Sequence, residues 1–158
     1  MKNTLFSFIF MIMGTLVTGQ TAQMVKDAQS IQKLLTDLAQ SWNMHDAKAF
    51  SMVFSEDADF MDVVGMSAHG RAEIAKFHDK PFATWYRNST LKVTDKKINF
   101  ITAGIAAVDA WWEMTGARDP DGKEIPIKKG LFNFIMTKGD NKWFITVMHN
   151  MDLPVVPK

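Results

Sequence analysis

The chain has 158 residues, 47% of them apolar and 22% charged, with 18 basic against 17 acidic side chains for a formal net charge of +1. That length suits one domain with a packed core, and so even a charge balance leaves no concentrated basic face of the kind phosphate binding requires, which excludes nucleic-acid recognition. There is no cysteine, so disulfides, thiolate metal sites, cysteine nucleophiles and lipidated cysteines are excluded as well.

Lys2 precedes an apolar run from Leu5 to Val17. At about 13 residues the run is shorter than the ~20 that span a bilayer as a helix, and Val17 and Gly19 offer small side chains where a signal peptidase acts. Residues 1–19 are therefore expected to be a secretory signal peptide cleaved after Gly19. This would leave an exported protein, periplasmic or secreted, with no membrane segment; an uncleaved anchor or a core helix is the alternative. Residues 20–152 are then one domain and 153–158, with Pro154 and Pro157, a C-terminal tail.

Within the domain, Val25, Ala28, Ile31, Leu35, Leu38, Ala39 and Trp42 recur at steps of three and four, which predicts an amphipathic helix over about 22–43. Asp46 is suited to cap a short second helix that turns Phe50, Val53 and Phe54 inward. Ser55 to Ala58 then reads as a turn, and the alternation of Asp59 to Val64 as a strand that places Phe60, Asp62 and Val64 on one face and ends at Gly65. A third helix from Arg71 to about Asp79 carries Ile74, Phe77 and His78, with Pro81 preventing its extension. Four strands follow, Leu91 to Phe100, Gly104 to Thr115, Ile127 to Thr137 and Lys142 to Asn150, separated by Asp119-Pro-Asp-Gly and Lys138-Gly-Asp-Asn turns. Helices first and strands after predict an α+β fold: about three N-terminal helices packed on the concave face of a cone-shaped, mainly antiparallel sheet. The strand from Gly104 is apolar on both faces, with Trp112 on one and Trp111 on the other. Its outer face is expected to be covered by a second copy of the chain, a homodimer through the outer sheet face.

The segment from Trp42 to His78 (Trp-Asn-Met-His-Asp-Ala-Lys-Ala-Phe, then Phe-Ser-Glu-Asp-Ala-Asp-Phe-Met-Asp-Val-Val-Gly, then His-Gly-Arg-Ala-Glu-Ile-Ala-Lys-Phe-His) and the closing Lys-Trp-Phe-Ile-Thr-Val-Met-His-Asn resemble the nuclear transport factor 2-like superfamily. Within it they are most similar to the SnoaL-like branch, near the SgcJ/EcaC group conventionally labelled oxidoreductases. The resemblance covers nearly all of the chain after residue 19 and implies the fold more than an activity, because the scaffold hosts isomerases, cyclases, dehydratases and association domains. By resemblance to ketosteroid isomerases, Asp62 matches the carboxylate that removes a proton beside a carbonyl. Asn133 matches a donor to the developing oxyanion, Leu38 falls where those enzymes carry a tyrosine, and His78 matches a helix-three aromatic.

On their own chemistry, Asp62 between Phe60 and Val64 would be a desolvated carboxylate suited to general-base work, unless it simply caps the turn before Gly65. His78 points toward the sheet, as a proton relay or as a core histidine bonded to backbone. Asn133, in a row with Leu131 and Ile135, needs a partner if buried. Of His149 and Asn150 only one can face the pocket, and the resemblance favours Asn150. Phe60, Trp112, Met114, Leu131, Met148, Asn150 and Leu38 are the expected lining, while Trp143 reads as packing. His45, His69 and His78 lack the spacing of a metal site; His69 is expected in local hydrogen bonds and Arg71 in a structural ion pair. No dinucleotide, phosphate-loop or nucleophile-elbow motif is present, so no cofactor is expected. The leading expectation is cofactor-independent acid–base catalysis on a small apolar carbonyl compound (isomerase, cyclase or lyase type), with Asp62 as base, His78 as relay and Asn133 as oxyanion donor. A non-catalytic ligand-binding or dimerisation domain stands second, and an oxidoreductase, by family label, third.

Overall fold

In the computed structural model the backbone is described for residues 4–154 and side chains for residues 19–154. The elements in chain order are α1 (Thr4–Asn43), α2 (Ala47–Ser51), β1 (Phe54–Met61), β2 (Ser67–His69), α3 (Arg71–Ala83), β3 (Thr90–Thr102), β4 (Ile105–Thr115), β5 (Lys128–Gly139) and β6 (Lys142–Asp152). The strands form one curved sheet in the order β2-β1-β6-β5-β4-β3, antiparallel except where β1 runs parallel to β6. The helices pack on one face of it, α1 against β3 and β6 and α3 against β1 and β2. The fold is thus the expected α+β arrangement. The Leu5–Val17 run read as an export leader lies outside the residues whose side chains are described.

Local chemistry explains the element ends. Asp46 accepts the Ala49 amide at 2.8 Å and caps α2. Asp140 and Asn141 take positive φ in the tight β5–β6 turn, a conformation these two residue types tolerate best after glycine. Several boundaries differ from expectation, α1 among them, which begins at Thr4. Ser55–Ala58 is strand instead of turn, because β1 pairs with β6 from Phe54↔Ile145 onward, with an irregularity before Asp59. Beyond Met61 the chain leaves the sheet: the Asp62 carboxylate accepts the amides of Val64 and Met66, and Gly65 adopts φ 84°. This side-chain-to-backbone capture defeats the strand that the Asp59–Val64 alternation suggests. Helix α3 runs two residues past Pro81, whose carbonyl accepts the amides of Thr84 and Tyr86 and closes the end. The Arg71 guanidinium mainly grips the Phe54 carbonyl, at 2.6 and 3.1 Å, and lies 4.0 Å from Glu56.

The helix-covered sheet face carries Ala106, Val108, Ala110, Trp112 and Met114 from β4, Phe132, Phe134 and Met136 from β5, and Ile145 and Met148 from β6, all buried. Helix α1 meets it with Ile31, Leu34, Leu35, Leu38 and Trp42, a run at helical spacing. Val25, assigned to the same stripe by its spacing, is instead 54% exposed, and Asp27 is buried in its stead. The Asp27 carboxylate accepts from Lys138 Nζ at 2.6 Å, Trp143 Nε1 at 2.9 Å and Gln23 Nε2 at 3.2 Å, clasping the helix to the β5–β6 end of the sheet. Burial raises the Asp27 carboxyl pKa, but the hydrogen bonds from Lys138, Trp143 and Gln23 outweigh it and hold it below the usual value. Asp27→Asn keeps the shape but leaves Lys138 without a counter-charge, and is expected to cost about 2 kcal/mol in urea unfolding at pH 7. Because the folded pKa is depressed, that difference from the wild type should shrink as pH falls below about 4.

Candidate functional site

Between the helices and the sheet lies a pocket of about 290 Å³. Its inner wall is apolar: Trp42 from α1, Phe50 from α2, Phe60 from β1, Phe77 from α3, Trp112 and Met114 from β4, Phe132 from β5 and Met148 from β6. Its mouth is framed by Asp62, Val63 and Met66 of the β1–β2 turn, Lys80 and Pro81 of α3, Trp85 and Tyr86 beyond it, and Lys128. Lys128 pairs with Asp152 at 2.9 Å.

His78 is the titratable group deepest in this wall, 4% exposed. Its ring sits among Phe50, Phe60, Phe77, Phe82 and Trp42, at centroid distances of 4.4, 5.0, 5.3, 5.4 and 6.1 Å. Burial pushes its pKa down to about 4, against the opposing pulls of the Ile74 carbonyl and the Asp62 and Asp79 charges. His78 Nδ1 lies 2.8 Å from the Ile74 carbonyl oxygen, which can only accept; the neutral ring therefore carries its proton on Nδ1 and presents a lone pair at Nε2. Among the described residues the one buried polar side-chain atom without a partner is Ser55 Oγ. His78 Nε2 has no partner among these residues and is not such an enclosed atom, so it keeps contact with the open space of the pocket that His78 lines.

Asp62 stands at the mouth, half-buried, and does two things at once. One oxygen, Oδ1, holds the turn as described; its charge also reaches His78 and Tyr86. Tyr86 is the one tyrosine of the chain. Burial raises its phenol pKa, with Lys128 opposing and Asp152 and Asp62 adding to the rise, so at neutral pH it is a donor. On β6, Asn150 faces the pocket and accepts from Trp112 Nε1 at 3.0 Å, while Phe132 stacks on the Trp112 ring at 5.5 Å.

The structure thus brings Asp62, His78, Phe60, Trp112, Met114, Met148 and Asn150 to one pocket. It does not bring Asn133, Leu131 or Leu38 there. Asn133 and Leu131 lie on the opposite sheet face, since β5 turns Gly130, Phe132, Phe134 and Met136 inward, and the Asn133 amide donates to Asp109. Both parities of Leu-Phe-Asn-Phe-Ile-Met carry large apolar residues, and the wholly apolar row with the bulkier aromatics takes the face where the helix layer fills the space around it. Leu38 is fully buried in the core and does not line the pocket, and the α1 residue on the wall is Trp42, one turn further on. His149 is exposed on the outer face, and Trp143 is core. His45 bonds the Ser89 carbonyl, and His69 bonds Asp59 at 2.8 Å. Among the described residues no three His, Cys, Asp or Glu side chains gather as a metal-binding group. Sequence reasoning missed Trp85, Tyr86 and the two lysines at the mouth. The available signal was a Trp-Tyr pair in what reads as a surface connection after Pro81, where apolar rings have no reason to sit unless they cover something.

A curved sheet closed by three helices over an apolar pocket defines the cystatin-like, nuclear transport factor 2-like fold. The chain belongs to the SnoaL-like domain family, whose model it matches over residues 35–144. Among solved structures it is similar to an uncharacterised protein with a cystatin-like fold from Caulobacter vibrioides (21% identity, 80% of this chain and 89% of that one, TM-score 0.74). It is also similar to a protein provisionally assigned as a scytalone dehydratase from Novosphingobium aromaticivorans (19% identity, 85% and 89%, TM-score 0.74) and to LinA (12% identity, 87% and 93%, TM-score 0.77). No curated protein matches the chain.

Proposed function

We propose that the pocket takes a small, largely apolar carbonyl compound and that His78 acts on it as a proton acceptor, in cofactor-independent acid–base chemistry of the lyase or isomerase type. The observation that carries this reading is the neutral His78 ring, its Nδ1 committed to Ile74 and its Nε2 open to the pocket. When Nε2 takes a proton the imidazolium is met by the charge of Asp62, which already favours that form, and the Tyr86 phenol is available as a donor at the mouth. Asp62 is therefore an electrostatic partner and turn anchor, with His78 in the role of base. The dehydratase assignment of a chain with the same fold supports the lyase class. Incubation with a metabolite extract, read by mass spectrometry, tests it. Product formation should fall at least 100-fold in His78→Phe and about tenfold in Asp62→Asn; a ligand retained unchanged by the wild type would establish the non-catalytic binding domain instead.

The same reading includes export, a place near the SgcJ/EcaC group and a homodimer. Gly19 to Lys26 are exposed, and among the described side chains of α1 the first buried one is Asp27, which suits a mature chain beginning at Gln20. Trp111, Leu131 and Ile135 lie on the outer sheet face around the Asp109–Asn133 pair, which suits a second copy. Intact-mass measurement of secreted protein should give Gln20 as the first residue, and sedimentation at micromolar concentration should give a dimer; an intact Met1 on exported protein, or a monomer, would refute the respective point.

A further inference from the structure

Two hydrogen-bonding groups reach the pocket with their polarity dictated by a partner that has no choice. The first is His78 Nε2, an acceptor because the Ile74 carbonyl claims the proton on Nδ1. The second is the amide of Asn150. The Trp112 indole N–H is buried and can only donate; it points at Asn150 Oδ1, 3.0 Å away. With its oxygen committed, Asn150 turns its NH₂ the other way. Asn150 lines the pocket, and among the described residues its Nδ2 has no partner and is not a fully buried orphan.

The backbone explains why this bond exists. Trp112 is on β4 and Asn150 on β6, so the indole must cross β5, roughly 9–10 Å from strand to strand but one apart. Directly opposite Trp112 on β5 is Gly130, and a Cβ there would stand 2.0 Å from Trp112 Cζ2. The missing side chain is the channel through which the ring reaches Asn150, and Phe132 stacks on the ring from the neighbouring inward position.

We infer that the pocket has a fixed hydrogen-bond polarity, acceptor at His78 Nε2 and donor at Asn150 Nδ2, and that it selects an uncharged, mostly apolar ligand presenting a donor to the first and a carbonyl-type acceptor to the second. The inference rests on the reading of this cavity as a ligand site and is independent of whether His78 catalyses anything. Asn150 becomes the residue that recognises the carbonyl, the task first expected of Asn133.

Four matched probes separate the two groups: ethylbenzene with neither function, acetophenone with the acceptor, 4-ethylphenol with the donor and 4-hydroxyacetophenone with both. Dissociation constants at pH 7 from protein-observed NMR should favour acetophenone and 4-ethylphenol over ethylbenzene by about fivefold each, a typical net hydrogen bond, with 4-hydroxyacetophenone tightest. Asn150→Asp keeps an acceptor for Trp112 but replaces the NH₂ by an oxygen. It should erase the acetophenone preference to within twofold and leave that for 4-ethylphenol, whereas His78→Phe should do the reverse. Asn150→Leu, which has no charge to bury, should likewise erase the acetophenone preference. Equal affinity of the wild type for all four probes, binding of none, or an acetophenone preference that survives both Asn150 variants would overturn the inference. Selective binding without turnover would leave it standing and remove only the catalytic reading.

Discussion

Gly130→Ala is expected to unseat Trp112, lower stability by about 3 kcal/mol and abolish ligand binding in the pocket. The new methyl group would meet Trp112 Cζ2 at 2.0 Å, Cε2 at 2.2 Å and the Met151 carbonyl oxygen at 2.5 Å. A ring and a backbone atom must both move, and overpacking of this kind costs roughly 1–3 kcal/mol. Trp112 is 2% exposed and stacked on Phe132, so its displacement also breaks the bond to Asn150. For a chain of this size the loss corresponds to a fall in Tm of about 10 °C. Gly139, at the end of the same strand with nothing near its missing Cβ, is the control: Gly139→Ala should change Tm by less than about 2 °C. Thermal unfolding of both variants, with near-ultraviolet circular dichroism for the tryptophan environment, checks the expectation.

The second large effect is an acid destabilisation centred on His78. In the unfolded chain His78 titrates near its ordinary 6.5, and in the folded protein burial pushes it down to about 4. Between those values the unfolded chain binds a proton that the folded one refuses, so stability falls as pH falls. At about 1.4 kcal/mol for each pH unit the loss from this one residue reaches about 3 kcal/mol by pH 4, while above 6.5 its contribution is complete and constant. Asp62 and Asp79 pull the other way without prevailing. His78→Phe, which keeps a ring among Phe50, Phe60, Phe77 and Phe82, should flatten that part of the profile and be relatively more stable at pH 4.5 than at pH 7. Urea unfolding at half-unit pH intervals measures it.

Much of the architecture is legible in the sequence because its signals are redundant. The strands β3 to β6 begin and end within two residues of their expected bounds, since alternation and turn residues agree there. The inner face of β4 is readable for the same reason: it ends in Trp112 and Met114, whereas the outer face carries Asp109 and Glu113. Where two signals compete, the reading goes astray. Asp62 continues an alternating pattern but is also the residue best able to capture nearby amides, and the local capture wins. In β5 both parities carry large apolar residues, Leu131 and Ile135 on one and Phe132 and Phe134 on the other, so a one-residue choice sends Asn133 and Leu131 to the opposite face. The Trp112–Asn150 bond is beyond the reach of sequence patterns, because it depends on the absence of a side chain at Gly130, on the strand that lies between the two partners. Tyr86 comes to the mouth through the carbonyl of Pro81, which accepts its amide at 2.9 Å. A helix that is expected to stop at Asp79 hides that turn.

The chemistry of the pocket turns on the protonation of one ring, and nitrogen-detected NMR of the imidazole from pH 3 to 8 tests this most directly. His78 should be neutral with its proton on Nδ1 throughout the neutral range and titrate near 4. A ring already charged at pH 6, or neutral with its proton on Nε2, would contradict it.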